Sequence, residues 1–189
     1  MKSAALVFAT AGRILTAWII LIVLYLIPMN TQAQTVLDQH QITQAVQQIF
    51  IQTDERNWDQ VSACFTDPVR LDYSSLSGNE PAELSSQQVV ESWQAVLPGF
   101  EATQHSLSNF QVSVDGDRAT ASCYGTAVHY LPNDTDQGDT WTVVGTYDFE
   151  LAKREGQWKT SAMTFHFKFT EGNTDLPQRA QEIVARSQK

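Results

Sequence analysis

Four side chains in this sequence invite chemistry: Asp54, Tyr73, His105 and His129. A carboxylate, a phenol and two imidazoles are groups that take up and release protons near neutral pH. Asp54 follows Phe50 by four residues and Val46 by eight, so a helix running through it sets the carboxylate on an apolar face. A charge there is costly unless it is paired. The simpler role is a turn residue at a break before Asn57. His129 belongs to a strand whose one face reads Ala121, Cys123, Gly125, Ala127, His129, and whose other face reads Ser122, Tyr124, Thr126, Val128, Tyr130. The small-residue face suits the inside of a tightly curved sheet. Packing accounts for each of the four taken singly, including Tyr73, whose ring needs only one hydrogen-bond partner. Offered to one cavity, they form a general acid/base set. Trp93, Phe100 and Tyr147 are the aromatic candidates for its ligand-binding wall. His40 sits in a Gln-rich stretch, and His166 lies between two phenylalanines expected to take the inner face. The histidines lack HxH or HExxH spacing, so neither a metal site nor a cofactor is expected.

The elements that must position these groups follow from periodicity. Ile42, Val46, Ile49 and Phe50 form one helical stripe. Asn57 is placed to open a second helix, with Trp58, Val61 and Phe65 on its buried side. Val69–Tyr73 reads as a short strand, Ser74–Pro81 as a loop, and Ser85 or Ser86 as the start of a third helix carrying Val89, Val90, Trp93 and Val96-Leu97, stopped by Pro98-Gly99. From His105 the period becomes two. Asp115-Gly116-Asp117 and Arg154-Glu155-Gly156 are turn signals between long strands, with Pro132–Gly138 a polar loop. Within that loop Asn133-Asp134-Thr135 matches a glycosylation sequon. The expected fold is α+β: three N-terminal helices packed on a strongly curved mixed or antiparallel sheet, with an interior pocket. Leu176–Ser187 reads as a terminal helix whose stripe of Leu176, Ala180, Ile183 and Val184 docks at the cone mouth, at a dimer contact, or merely trails.

Lys2 and Arg13 precede an apolar run of 14 residues, Ile14–Ile27, closed by Pro28 and by Thr31-Gln32-Ala33. These are the parts of a secretory signal peptide, with cleavage expected after Ala33. An uncleaved anchor would have to draw Arg13 into lipid. The expected organisation is therefore a signal at 1–33, a pocket domain at 34–170, and a linker with a short helix at 171–189. The expected location is the periplasm or the cell exterior. Beyond residue 33 remain ten basic and 21 acidic residues, a net charge of −11. This excludes nucleic acid and anionic membrane surfaces as expected partners. Cys64 and Cys123 either pair as a disulfide or serve as two small apolar residues.

Thr53-Asp54-Glu55-Arg56-Asn57-Trp58-Asp59, Arg70-Leu71-Asp72-Tyr73, Thr103-Gln104-His105, a histidine 24 residues further on, and Glu155-Gly156-Gln157-Trp158-Lys159 follow one another in an order that resembles the SnoaL-like branch of the nuclear transport factor 2-like superfamily, and within it the scytalone dehydratase group. The similarity spans roughly residues 38 to 170. The resemblance implies a cone-shaped fold that often forms homodimers. It also implies a lyase or isomerase acting on a small apolar or hydroxylated molecule. Asp54 would orient His105, His129 would be the second histidine, and Tyr73 one of two tyrosines that hold a water. The second tyrosine position is Thr53 here, and two substrate-touching positions fall on Gly145 and Tyr147, so altered recognition is implied. The same fold also serves as a non-catalytic binding or dimerisation module. A third possibility is an isomerase of the ketosteroid type, with an Asp as base, which would leave the histidines without a role.

Overall fold

The alternation between Ala119 and Leu131 becomes a strand whose inward face is the small-residue one. Ala119, Ala121, Cys123, Gly125, Ala127 and His129 are buried, and the residues between them are not. This strand is part of a computed structural model that describes residues 32–132 and 136–187. Residues 1–31, most of the segment expected to direct export, and the sequon at 133–135 lie outside the described residues. The chain divides into two compact units, 1–38 and 39–189. In the first unit the described residues, 32–38, are helical. No helix among the described residues is long and apolar enough to cross a membrane.

The second unit holds helix α1 (39–54), α2 (Trp58–Ala63), strand β1 (Phe65–Asp72), the four-residue α3 (Ser74–Ser77) and β2 (Ala82–Leu84). These are followed by α4 (Ser86–Gln94), a 3-10 turn at Leu97–Gly99, β3 (Ala102–Asp115), β4 (Arg118–Tyr130), β5 (Thr140–Arg154), β6 (Gln157–Gly172) and α5 (Leu176–Ser187). The six strands form one sheet in the order β2-β1-β6-β5-β4-β3, antiparallel throughout except for the parallel β1–β6 pair. The result is a mixed α+β fold with a curved, unclosed sheet. The core lies between the helices and the concave face: Ile42, Val46 and Ile49 of α1 pack with Phe149, Leu151 and Met163 of the sheet.

Several local expectations need correction. Phe65 belongs to β1, where it pairs with Thr160 and sets its ring edge-on to Trp93 at 6.0 Å, because α2 already ends at Ala63. Asn57 occupies the N-cap position of α2, yet its side chain donates to Gln52 Oε1 rather than to the helix. The stretch expected as loop, Ser74–Pro81, opens with α3, and the short β2 follows directly after it. Asp72 accepts from the Ser74 backbone N–H and hydroxyl, starting a helical turn, and Gly78 ends it in the left-handed region at φ 74°. Four-residue and three-residue elements are too short to leave a periodic signature. Ser85 does open α4, through a reciprocal capping box with Gln88. Cys64 and Cys123 are free thiols.

Helix α5 docks on the 3-10 turn. Leu176, Ala180 and Val184 are buried, with Ile183 left outside, and Leu176 and Ala180 pack with Phe100 and Leu131. The approach is so close that a Cβ on Gly99 would sit 2.1 Å from the Ala180 carbonyl oxygen. Only glycine fits there.

Candidate active site

The last residue of α1 is Asp54, and the sheet brings β3 directly beneath it. Its Oδ1 lies 2.7 Å from His105 Nδ1 and accepts from the Thr103 hydroxyl at 2.8 Å, while Oδ2 accepts from the His105 backbone N–H at 2.7 Å. Thr103 and His105 are two apart on β3, so their side chains share the face turned to the helix. Burial pushes the Asp54 carboxyl up, but the His105 ring, its charge, its backbone N–H and the Thr103 hydroxyl outweigh that and hold it below the usual carboxylate range. A carboxylate only accepts, so the Nδ1 proton of His105 points to Asp54 and its Nε2 is left for a ligand.

His129 enters through β3–β4 pairing, in register with Thr103, and through β4–β5 pairing, in register with Trp141. The His105 and His129 ring centres are 5.9 Å apart, near perpendicular. His129 Nδ1 lies 3.2 Å from the Trp141 carbonyl oxygen. That oxygen can only accept, so Nδ1 carries the proton and Nε2 holds a free lone pair. Burial, and then the neighbouring His105, lower the His129 pKa to about 4. The ring is neutral at physiological pH.

Tyr73 follows β1 directly, and its ring lies 5.7 Å from that of Phe165. Tyr147, on β5, hydrogen-bonds the Tyr73 side chain, and both phenols are pushed well above their usual range, chiefly by burial. Thr53 donates its hydroxyl to the Ile49 carbonyl at 2.6 Å. The tyrosine partner of Tyr73 therefore comes from β5 and not from position 53.

These groups line one cavity of about 480 Å³, where Tyr73, His105, His129 and Tyr147 meet Trp93, Trp141 and Phe165. Pro177 and Gln181 of α5 stand at its edge. Phe100, expected on the wall, is not part of the lining. It packs behind, its ring 4.9 Å from His129 and stacked on Trp141 at 6.3 Å. Sequence reasoning gave no role to Trp141, whose ring lines the cavity and whose carbonyl sets the His129 tautomer; only the cross-strand register could have revealed it. His166 faces outward and pairs with Asp148 at 2.8 Å on the exposed side of the sheet. A wider groove of about 1100 Å³, lined by surface charges such as Arg118, Glu150 and Lys159, contains none of the histidines. We place the chemistry in the smaller cavity, because the ionisable groups and the apolar lining coincide there. Among the described residues no cluster of three His, Cys, Asp or Glu side chains is placed to hold a metal ion.

The sequence matches the family model of the SnoaL-like domain over residues 34–164. The chain belongs to the SnoaL-like family. Among solved structures it resembles the Kfla4162 protein from Kribbella flavida, with a TM-score of 0.69 and 25% identity, covering 80% of this chain and 99% of that one. Two more distant likenesses show the fold alone. A candidate scytalone dehydratase from Novosphingobium aromaticivorans has a TM-score of 0.63 and 18% identity, over 75% of this chain and 91% of that one. A hexachlorocyclohexane dehydrochlorinase from Novosphingobium barchaimii has a TM-score of 0.61 and 14% identity, over 76% and 94%. No curated protein matches the sequence. The SnoaL-like chain thus has the nuclear transport factor 2-like cone and a small-molecule pocket within it.

Proposed function

We propose that this SnoaL-like protein is an acid/base lyase or isomerase acting on a small hydroxylated carbonyl compound. The observation that carries the reading is the 2.7 Å contact of Asp54 with His105 beside a neutral His129 in one apolar cavity. His129 takes the proton next to the carbonyl through Nε2. The electron pair of that C–H bond moves into an enolate, toward which Tyr73, whose oxygen accepts from Tyr147, is an un-ionised donor. His105, protonated and oriented by Asp54, gives its Nε2 proton to the β-hydroxyl. That C–O bond breaks, and water leaves with its electron pair as the carbon–carbon double bond forms. Returned to a different carbon, the same proton gives isomerisation.

The test is α-proton exchange of β-hydroxylated cyclic ketones in D₂O, followed by NMR alongside dehydration. Exchange well above the buffer rate, falling by about 10²-fold or more in His129→Asn, is the expected result. Ligands that bind without exchange or dehydration across the panel would leave a binding module instead. Export and homodimer formation are part of the same proposal. The patterned segment at 1–33 supports the first, and a mature N-terminus at Gln34 in mass spectrometry checks it. Size-exclusion chromatography with light scattering checks the second.

A further inference from the structure

Arg56 has a backbone and a side chain that are both unusual for its position. It stands two residues past the end of α1 with φ 60°, in the left-handed region where a helix end ordinarily takes glycine or asparagine. An arginine retained in that conformation needs a compensating contact. Its guanidinium supplies three. Nη1 donates to the Thr53 carbonyl at 2.9 Å and to the Thr103 hydroxyl at 2.8 Å, and Nη2 donates to the Leu97 carbonyl at 2.8 Å.

The Thr103 contact sets a direction. A guanidinium has donors only, so the Thr103 oxygen accepts from Arg56 and must turn its single proton elsewhere. That proton goes to Asp54 Oδ1, 2.8 Å away, the same oxygen that meets His105 Nδ1. The chain of donors therefore runs one way, from Arg56 through Thr103 to Asp54. The contacts to Thr53 and Leu97 tie the guanidinium to the end of α1 and to the 3-10 turn, so it is anchored on both sides of the carboxylate it serves.

We propose that Arg56 is a positioning residue for the Asp54–His105 pair, acting through the Thr103 hydroxyl. The inference rests on the reading of that pair as acid/base machinery and deepens it. Arg56 is not among the residues that line the cavity. It fixes the Thr103 proton on Asp54, which holds the carboxylate ionised and in one rotamer, and this in turn fixes the proton-bearing nitrogen of His105. His129 and Arg56 itself are the other ionisable groups that act on this cluster.

The experiment is NMR of the full chain, following the Asp54 side-chain carbon and the His105 Nδ1 proton against pH. In the wild type the His105 Nδ1 proton is expected as a downfield, slowly exchanging signal that Asp54→Asn removes. Thr103→Val, nearly isosteric and neutral, is expected to raise the Asp54 midpoint by about half a pH unit or more and to speed Nδ1 exchange by about tenfold or more. Thr103→Ser, which keeps the hydroxyl, restores both. Arg56→Lys retains the charge but not the planar fork, and moves both readouts the same way as Thr103→Val. A merely structural staple would lower the melting temperature and leave these signals unchanged. If folded Thr103→Val and Arg56→Lys both keep the wild-type midpoint and exchange rate, Arg56 has no positioning role and the pair stands without it. If the wild type lacks the downfield signal, the pair itself falls, and the inference falls with it.

Discussion

His129 makes the stability of this protein depend on pH in a window that can be calculated. Its pKa in the folded state is about 4, against an ordinary value of 6.5. The unfolded chain therefore binds a proton at this site between those values while the folded chain does not, so stability rises with pH across the window. The contribution is fully present above about pH 6.5 and is lost as the pH falls toward 4. A difference of about 2.5 units at about 1.4 kcal/mol each is worth about 3 kcal/mol over the whole window, of which about 2 kcal/mol disappears between pH 7 and pH 5. Asp54 does not interfere, because its depressed pKa moves its own loss to more acid solution, below the usual carboxylate range. Urea unfolding of the wild type and of His129→Asn at half-unit steps from pH 7.5 to 4.5 isolates the effect. Asparagine can still donate to the Trp141 carbonyl but does not titrate. The wild type should lose about 2 kcal/mol relative to the variant between pH 7 and pH 5. Parallel curves would mean that His129 titrates alike in both states, and the assignment of a buried, neutral imidazole would be refuted.

Three further outcomes are expected. Asp54→Asn should cut dehydration of the substrate panel by about 10²-fold or more, since the amide no longer orients the His105 imidazole; wild-type turnover in the folded variant would break the pair. Gly99→Ala should cost about 1–3 kcal/mol in urea unfolding and raise amide exchange throughout α5, because the new methyl meets the Ala180 carbonyl; protection of α5 equal to that of the wild type would show the contact to be soft. The Cys64 and Cys123 thiols are pushed up to about 11 and about 12, mainly by burial, so both should resist a thiol reagent at pH 8 until urea unfolds the chain. Rapid native labelling of both would contradict their placement.

Much of this site was legible because two of its residues advertise themselves through local periods. Asp54 breaks the apolar stripe of α1, and His129 breaks the small-residue face of β4. The partnership of His105 with Asp54 is different. It joins positions 51 apart, and only the resemblance supplied it in advance. Thr103 and Trp141 were invisible for a related reason: each acts through a cross-strand register that a sequence does not display. Arg56 was in plain view within a quoted motif, yet neither its left-handed backbone nor the reach of its guanidinium to Leu97 has a sequence signature. Phe100 was misplaced because an aromatic residue after a turn looks the same whether it faces a cavity or supports the residues that do. The parallel pairing of β1 with β6 spans nearly the whole domain and follows from no local pattern.

The small-residue face of β4 makes the size of the cavity and the handling of protons one property rather than two. Room in the cavity comes from β4, where Ala127 is part of the lining and Gly125 leaves its space to the Tyr147 ring; a Cβ at Gly125 would stand 2.4 Å from that ring. Protons are handled beside it, at the end of α1, on β3 and at the far end of β4. Ala127 stands directly opposite His105, so a larger side chain there would narrow the cavity and press on the Asp54-paired imidazole at once. Gly125, two residues along, is coupled in the same way, since any side chain there displaces Tyr147 and its bond to Tyr73. Neither position can be enlarged to change what the cavity admits without also moving a residue that handles protons.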